Sequence, residues 1–430
     1  MTYPDSVQFL YALGNEMKTV KLGLERIEKL LAALGNPERA YRTIHVAGTN
    51  GKGSVCSMIE AGLRAAGVRT GLFISPHLIE PTERIQIDGI PVTKEQFSRA
   101  FDVVHQLAET LQLDAHPTYF ETVTAMAFWL FRELGVQSAV IEVGLGGRLD
   151  STNLIRPALT VITSVDYDHQ AWLGDAIEQI AAEKAGILKP GVPAIFSKQS
   201  APAKKVLARR ADDLAIPVRL AEETEIRDLV TDARGGRFQL KLKAGWQNVH
   251  CPLAGDHQVE NATTAALALD ELGISPVGIS DARWPGRLEH ISPNPDILLD
   301  GAHNPAGARA LAGYLEKYYG DRKRWMVFGA MRDKDVAKIA GTLFPLADEL
   351  ILTAPAMARS MTPGELGALA PHARTAPDIQ AALEIISKEA SDEDVVIITG
   401  SLYLVGEARQ AFADSGAKRR ELYNKNSWVL

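Results

Sequence analysis

The fold of this chain is decided by the stretch His45-Val46-Ala47-Gly48-Thr49-Asn50-Gly51-Lys52-Gly53-Ser54. An apolar run from residue 44 to 47 predicts a strand, and apolar residues at helical spacing after Gly53 predict a helix. A strand, a glycine-rich turn and a helix together present backbone N–H groups and a helix N-terminus to a phosphate. The sequence therefore predicts a nucleotide-binding loop in which the Lys52 ammonium reaches the outer phosphates.

This loop departs from the strict phosphate-binding pattern G-x-x-x-x-G-K-[ST]. Gly48 lies three residues before Gly51, and Gly53 separates Lys52 from Ser54. The hydroxyl that normally follows the lysine and holds Mg²⁺ is therefore displaced by one position. The alternative is an ordinary glycine turn between a strand and a helix. Three glycines, a lysine and two hydroxyls within seven residues favour nucleotide binding.

Composition narrows the class of protein. A chain of 430 residues is too long for one typical core, which predicts two domains. The net charge of −7 argues against a general binder of nucleic acid or of anionic membranes. No apolar run approaches the roughly 18 residues that span a bilayer, and the N-terminus lacks the features of a secretory signal. With only Cys56 and Cys251, a disulfide framework is not expected, and the predicted location is the cytoplasm.

Strands and helices alternate along the chain. Apolar stripes within residues 6–34 predict two helices, and Asp88-Gly89 predicts the turn of a hairpin. Strands separated by helices are typical of a parallel, doubly wound sheet, whose ligands bind beyond the carboxyl ends of the strands. The predicted strands of this first sheet are 44–47, 70–74, 138–143, 159–165 and 192–196.

The pattern changes beyond residue 219. Residues 219–249 predict a small antiparallel addition, and a second α/β pattern follows with strands at 297–299, 325–328, 350–353 and 395–398. The fold class is therefore α/β. Pro276 to Pro285 predicts the start of a linker. We predict an N-terminal ATP-binding domain over 1–284 with a P-loop-type, mostly parallel sheet, a linker segment over 285–291, and a smaller Rossmann-like α/β domain over 292–430.

Polar residues that follow the predicted strands are candidates for the site. Glu142 ends a strand before a glycine loop, where a carboxylate can hold Mg²⁺ or simply cap the sheet edge. Ser75 follows the neighbouring strand and could supply the hydroxyl that the loop does not place, although a loop serine is more often a turn former. Spacing alone assigns no role to His169 or Lys184. A histidine near a strand end is more often a hydrogen-bonded structural residue, and a lysine on a helix is ordinarily exposed to solvent.

In the second half of the chain, a turn and an arginine are further candidates for the functional site. Asp300-Gly301-Ala302-His303 follows a predicted strand and could be only a structural turn between a strand and a helix. Arg287 lies two residues after Pro285, where a cation could stabilise the charge of a transferring phosphoryl group or form a salt bridge between domains.

Seven motifs occur together in one order, and each is modest alone. They are Gly48–Ser54, Ser75-Pro76-His77-Leu78, Thr118-Tyr119-Phe120-Glu121, Glu142–Asp150 (EVGLGGRLD), Glu183-Lys184-Ala185-Gly186-Ile187, Pro285-Gly286-Arg287-Leu288-Glu289 and Asp300–Pro305 (DGAHNP). The ordered set closely resembles the folylpolyglutamate synthase/dihydrofolate synthase family of the Mur ligase superfamily. The resemblance covers roughly residues 20 to 410.

The resemblance implies a role for each matching residue. Gly48, Thr49, Asn50, Gly51, Lys52, Gly53 and Ser54 would bind the ATP phosphates, and Asn261, Arg287 and Asp300 would also contact ATP. Ser75 and Glu142 would ligate a first Mg²⁺, and His169 a second. Lys184 matches a position that is carbamylated in this family, which places a carboxylate-like group near that metal. His303 would lie in the cleft between the domains, and Thr399-Gly400-Ser401-Leu402-Tyr403 would be linked to the incoming glutamate.

The activity that the resemblance implies is ATP-dependent ligation of L-glutamate. An acyl phosphate forms on a pteroate or folate carboxylate, and the glutamate amine then attacks it. Lys52, Lys184, His169 and His303 are the expected catalytic residues. We expect both dihydrofolate synthase and folylpolyglutamate synthase activity, because residues 75–84 and 118–122 look like those of the bacterial bifunctional enzymes. The family resemblance also implies a monomer. The alternatives are a monofunctional folylpolyglutamate synthase and a cell-wall Mur ligase, which usually has another domain before the phosphate loop.

Overall fold

The computed structural model describes residues 1–13, 23–113 and 115–426, and these fall into two compact units. Unit 1 comprises Met1–Val230, Gly235–Pro252 and Gln258–Arg283, and unit 2 comprises Thr231–Arg234, Leu253–His257 and Trp284–Leu430. The second unit thus includes two short segments that interrupt the sequence of the first unit. The functional domains 1–284 and 292–430 stay a prediction. The segment predicted as their linker, 285–291, already contains the start of a strand at Glu289.

The helices are α1 Tyr3–Ala12, α2 Glu25–Ala33, α3 Lys52–Ala65, α4 Lys94–Thr110, α5 Tyr119–Glu133, α6 Gln170–Leu173, α7 Ile177–Ala185, α8 Ala201–Asp213, α9 Asp256–Glu271, α10 Pro305–Tyr319, α11 Val336–Leu343, α12 Pro363–Gly367, α13 Ile379–Glu389 and α14 Leu402–Asn426. Two helices do form within 6–34. The parts of that prediction that depend on Met17 and Leu22 lie outside the described residues.

The strands are β1 Arg42–Ala47, β2 Thr70–Phe73, β3 Ile85–Ile87, β4 Ile90–Pro91, β5 Ser138–Glu142, β6 Leu159–Ile162, β7 Ala194–Phe196, β8 Val218–Leu220, β9 Ile226–Asp232, β10 Gly235–Leu242, β11 Gly245–Cys251, β12 Glu289–Pro293, β13 Asp296–Leu299, β14 Arg324–Phe328, β15 Glu349–Leu352, β16 Arg374–Thr375 and β17 Val395–Thr399.

Unit 1 is built on an eight-stranded sheet in the order β4-β3-β2-β5-β1-β6-β7-β8. The strands from β2 to β8 in that order are parallel, and β3 and β4 add an antiparallel edge. The edge hairpin turns at Asp88-Gly89, where both residues have positive φ (52° and 76°) as a type I′ turn requires. This confirms the predicted hairpin and the mostly parallel sheet.

Helices cover both faces of this sheet. On one face, Ala139 and Ile141 of β5 pack with the core residues of α4 and α5. Because side chains alternate along a strand, the intervening residue Val140 points to the opposite face, where α3 and α9 lie. These two helices approach so closely that a Cβ on Gly62 of α3 would lie 2.3 Å from Leu269 of α9. The sheet is therefore doubly wound, as predicted.

The prediction of a linker that starts at Pro276 is wrong for its first half. Pro276–Asp281 forms a 3₁₀ helix in which Ile279 is fully buried. A Cβ on Gly278 would lie 2.4 Å from the Cβ of Ala65, so this segment packs tightly on α3. Proline and glycine here provide a turn and a close approach between elements rather than an extended connection.

The antiparallel addition is a three-stranded sheet in the order β11-β10-β9. Unit 2 has a six-stranded sheet in the order β12-β13-β17-β14-β15-β16, in which β12 alone runs antiparallel to its neighbour. Its core includes Leu298, Met326, Leu315 and Ile397, all fully buried. The predicted small antiparallel piece and second α/β sheet are both present.

Candidate functional site

The phosphate loop joins β1 directly to α3. Gly51 is the N-cap of α3 with φ +84°, a left-handed conformation that glycine adopts without strain. Its missing side chain also matters, because a Cβ there would lie 2.4 Å from the Oδ1 atom of Asn261. Lys52 is the first residue of the helix, and its Nζ atom donates to the carbonyl of Thr49 at 3.3 Å. The loop curls back on itself and places a cation at the helix N-terminus, where the backbone N–H groups favour an anion.

The loop is tied to the segment that follows β6. The Thr49 hydroxyl donates to the carbonyl oxygen of Asp166 at 2.9 Å and accepts from the Asp166 N–H at 3.0 Å. The N–H of Thr49 donates to the carbonyl of Ser164 at 2.8 Å. Gly48 approaches this segment so closely that a Cβ would lie 1.8 Å from the Thr163 Oγ1 atom. These contacts fix the shape of the loop before any ligand binds.

Lys184 is buried, with 4% of its surface exposed, so the expectation of a solvated lysine is wrong. Its Nζ atom donates to the carbonyl of Gly48 at 2.8 Å, which places an amine directly beneath the phosphate loop. Burial, with a smaller contribution from the Lys52 charge, lowers the pKa of Lys184 to about 7 against the opposing effect of Asp168 and Asp150. A substantial fraction of this lysine is therefore a neutral amine near pH 7.

Glu142 and Ser75 lie together at the carboxyl ends of neighbouring strands β5 and β2. The Ser75 N–H donates to the Oε2 atom of Glu142 at 3.0 Å, and Glu142 is buried with 4% exposure. Burial raises the pKa of the Cys56 thiol on α3, and the Glu142 charge raises it further. Cys56 is therefore an inert packing residue beside the carboxylate.

A buried chain of hydrogen bonds behind the site escaped the sequence analysis. The His45 Nε2 atom lies 2.9 Å from the Thr152 hydroxyl, which donates to the Oδ1 atom of Asp150. Asp150 also accepts from the N–H of Leu145 at 2.8 Å and so fixes the glycine loop after Glu142. Burial raises the pKa of Asp150 and lowers the pKa of His45 to about 3, which keeps this histidine neutral. Only the position of Asp150 at the end of the EVGLGGRLD motif hinted at a role.

The helix α9 supplies polar groups to the start of α3. Gln258 donates from Nε2 to the Ser54 hydroxyl at 3.2 Å and accepts from the Asn261 amide at 3.0 Å. All three side chains are at least nine-tenths buried. The family resemblance implies a role for Asn261 but not for Gln258, and a glutamine at a helix start carries no distinctive sequence signal.

His169 follows β6 in a left-handed conformation with φ +53°. Its N–H donates to the Asp168 Oδ1 atom at 2.8 Å, and its Nε2 atom lies 3.9 Å from that oxygen. A non-glycine residue in this region of backbone space is strained, and such strain is concentrated at functional sites. The Asp168 charge also raises the pKa of Lys184, so these two side chains interact electrostatically.

In unit 2, Asp300 organises a second group of predicted residues. It follows β13, is 7% exposed, and accepts from the N–H groups of Leu288 (3.0 Å) and Ala302 (2.9 Å). Burial raises the pKa of Asp300, and the Arg287 charge opposes this shift. A Cβ on Gly301 would lie 2.4 Å from the Arg287 Nη1 atom, so the glycine makes room for the guanidinium. The structure thus brings Arg287 and Asp300 together.

His303 and the Thr399–Tyr403 turn also belong to unit 2. The His303 Nδ1 atom donates to the carbonyl of Gly301 at 2.7 Å, which orients the imidazole ring. The turn follows β17, the sheet neighbour of β13, so it lies at the same edge as Asp300. Gly400 there has φ +98°.

The chain matches two family descriptions that share the Mur ligase name. Residues 46–269 match the Mur ligase middle domain, and residues 286–402 match the glutamate ligase domain of Mur ligases. Among the described residues, no helix is long and apolar enough to cross a membrane.

Similar proteins and similar solved structures identify the family within the Mur ligases. A dihydrofolate synthase/folylpolyglutamate synthase of Bacillus subtilis is 34% identical over 91% of this chain and 95% of its own length. A Mycobacterium tuberculosis folylpolyglutamate synthase, solved with ADP and AMPPCP, has a TM-score of 0.88 at 32% identity and covers 95% of this chain and 99% of its own. Escherichia coli FolC, solved with DHPP and ADP, has a TM-score of 0.87 at 31% identity over 96% of this chain and 98% of its own. This chain therefore belongs to the dihydrofolate synthase/folylpolyglutamate synthase family of Mur ligases.

Proposed function

We propose that this chain is an ATP-dependent ligase that joins L-glutamate to the carboxylate of a pteroate or a reduced folate, and that it has both dihydrofolate synthase and folylpolyglutamate synthase activity. The names of its relatives support the two activities. The ADP, AMPPCP and DHPP in related structures support a nucleotide and a pterin as ligands. The single observation that carries the proposal within this chain is the rigid phosphate loop, with Lys52 at the N-terminus of α3 and the Lys184 amine beneath it.

The residues at the carboxyl ends of β2 and β5 fit a magnesium site. Glu142 is a buried carboxylate, and the Ser75 backbone is hydrogen-bonded to it, so a carboxylate and a hydroxyl are available side by side. Oxygen ligands of this kind are what Mg²⁺ prefers. When bound, Mg²⁺ would offset the charge of the nucleotide phosphates. Glu142 and Ser75 would hold one ion, and His169 with a modified Lys184 would hold a second.

Lys184 has the chemistry that carbamylation requires. Its neutral amine would attack CO₂, form a new N–C bond and release a proton, which leaves a carbamate whose single negative charge is shared by two oxygen acceptors. The lowered pKa supplies the neutral amine near pH 7, whereas an exposed lysine would be almost fully protonated. The carbamate would also replace a buried positive charge beside Lys52 with a negative one, which favours the modification.

Each residue then has a task in the ligation. The loop N–H groups and Lys52 would bind the phosphates and stabilise the charge that develops as the γ-phosphoryl group passes to the substrate carboxylate. The product is an acyl phosphate, which the neutral glutamate amine attacks, forming the amide and releasing phosphate. Asn261 would hold the nucleotide from α9. Both organic substrates are anionic, so the cations near the phosphates are needed to bring them together.

Unit 2 would complete the nucleotide and glutamate sites. Arg287 and Asp300 would contact ATP, and the Thr399–Tyr403 turn would take part in binding glutamate. His303 would take part in catalysis as a base or an orienting group. We further propose that the protein acts as a cytoplasmic monomer and that Mg²⁺ is its metal.

A phosphate-release assay with ATP, Mg²⁺ and L-glutamate tests the substrate class. Dihydropteroate and tetrahydrofolate are compared with a UDP-linked peptide precursor of the cell wall. We expect turnover with both pterin substrates. Turnover with tetrahydrofolate alone would show a monofunctional folylpolyglutamate synthase, and turnover with the UDP-linked precursor alone would refute the folate proposal.

The Lys52→Ala variant tests the phosphate loop itself. We expect it to abolish glutamate ligation while its melting temperature stays close to that of the wild type, because the Lys52 ammonium donates a single hydrogen bond, to the Thr49 carbonyl, among the residues that the structure describes. Lys205→Ala, on the exposed surface of α8, is the matched control and should keep full activity. Substantial turnover in Lys52→Ala would contradict the catalytic assignment.

A further inference from the structure

A group of three ligand-bearing side chains lies outside the site described above. His105 and Glu109 are one helical turn apart on α4, and His116 lies in the connection to α5. The Glu109 Oε1 atom is 3.9 Å from the His105 Nδ1 atom and 3.5 Å from the His116 Nε2 atom. One ligand atom from each residue lies within 4.8 Å of those of the other two.

Two ring nitrogens in this group have no hydrogen-bond partner among the described residues, although both are buried as atoms: His105 Nδ1 and His116 Nε2. The tautomer of His116 is fixed, because its Nδ1 atom donates to the carbonyl of Pro117 at 2.8 Å. In the neutral ring, the Nε2 atom on the side of Glu109 therefore carries the lone pair that a metal ion needs. A backbone carbonyl that orients a histidine in this way is the usual outer support of a metal ligand.

Aromatic rings hold the two histidines in place. Phe101 stacks on His105 with ring centroids 5.3 Å apart, and Phe9 of α1 packs on His105 at 4.6 Å and on His116 at 5.7 Å. The ligands are thus presented on packed side chains, while Glu109 is largely exposed and leaves an entry path from solvent. A site of this kind needs both features.

We propose that His105, Glu109 and His116 bind a divalent transition metal ion of the Zn²⁺ type, separate from the two magnesium sites proposed near the phosphate loop. Two imidazoles and one carboxylate suit Zn²⁺, whereas Mg²⁺ prefers an all-oxygen set. Ligand bonds of about 2.1 Å place neighbouring ligand atoms about 3.5 Å apart in a tetrahedron. The Glu109 distances already approach this value, and small side-chain rotations would close the distance between the histidines. The ion would tie α4 to the segment that leads into α5.

Zn²⁺ binding by the full-length protein tests this proposal. The protein is stripped with a chelator and titrated calorimetrically with Zn²⁺ in the absence of Mg²⁺, and Co²⁺ substitution reports tetrahedral geometry by its absorption. We expect one binding event that weakens about tenfold or more in His105→Ala, His116→Ala and Glu109→Gln. His372→Ala, an exposed histidine of unit 2, and His169→Ala, near the phosphate loop, should leave this event unchanged.

The outcome distinguishes the Zn²⁺ site from the magnesium sites near the phosphate loop. Glu109→Gln changes an exposed side chain and should keep the fold, so it remains informative if a histidine variant unfolds. Unchanged Zn²⁺ affinity and an unchanged Co²⁺ spectrum in Glu109→Gln would overturn the proposal. Loss of the binding event in His169→Ala alone would also overturn it, because the ion would then belong to the site near the phosphate loop.

Discussion

Replacing Lys184 by methionine should raise the free energy of unfolding of unit 1 at pH 7 and remove part of its pH dependence. Lys184 is an almost fully buried amine that interacts unfavourably with Lys52. Methionine has a similar length and no charge, so it fills the same space without this cost. The variant therefore exchanges an electrostatic penalty for the loss of one hydrogen bond to Gly48.

The magnitude follows from the pKa. Burial lowers the pKa of Lys184 from 10.5 in the unfolded chain to about 7. At pH 7 and below, this difference destabilises the folded state by about 5 kcal/mol at most, since each pKa unit corresponds to about 1.4 kcal/mol. Between pH 7 and 10.5 the unfolded state binds more protons, so stability rises with pH by up to about 1.4 kcal/mol per unit. The lost hydrogen bond costs about 1–3 kcal/mol at every pH.

The variant should thus be more stable than the wild type at pH 6.5 and lose this advantage as the pH rises towards 10. Urea unfolding at pH 6.5, 8 and 9.5 measures this, in CO₂-depleted buffers so that Lys184 remains unmodified. The signal should report on unit 1 alone, because two units can unfold separately. Lys205→Met provides the control for an exposed lysine. Parallel pH profiles for Lys184→Met and the wild type would refute the pKa assignment.

Two substitutions test the packing around α3. Gly51→Ala should lower the free energy of unfolding by about 1–3 kcal/mol and also lower the ATP affinity, since the new Cβ meets Asn261. Its control is Gly67→Ala, where φ is +78° but no neighbouring atom lies within 4 Å, so this variant should have the backbone strain without the loss of ATP affinity. Equal ATP affinities of the two variants by calorimetry would contradict this prediction. Leu269→Ala should destabilise unit 1 by about 2–5 kcal/mol in urea unfolding, because it leaves a cavity against Gly62, and a change below about 1 kcal/mol would show that the helices collapse to fill it.

Local sequence signals predicted the elements of this fold well. The hairpin at Asp88-Gly89 and the phosphate loop before α3 depend on backbone preferences that a few adjacent residues specify. The segment Pro276–Asp281 was misassigned for the same reason. Its proline and glycine mark a turn, but nothing nearby reveals that Gly278 packs against α3.

Contacts between distant residues were less accessible. Lys184 donates to Gly48 across 136 positions, so its burial could not be read from its helix, and only the family resemblance pointed to the site. His45 and Thr152, 107 positions apart, became a pair only once β1 and the loop after β5 were placed. The roles proposed for Arg287, Asp300 and His303 stay predictions until variants of each are assayed.

The discontinuous composition of unit 2 has a consequence for the order in which the chain is synthesised. The carbonyl of Ala233 accepts from the Tyr314 hydroxyl at 2.8 Å, and Asp256 pairs with Lys317 at 2.8 Å. Tyr314 leaves the ribosome 81 residues after Ala233, which is about 4 to 16 seconds later at ordinary rates of translation. Both early segments must wait in water for their partners, and a fragment that begins at Trp284 would never acquire them. Unit 2 therefore gains these contacts only in a chain that also contains residues 231–257.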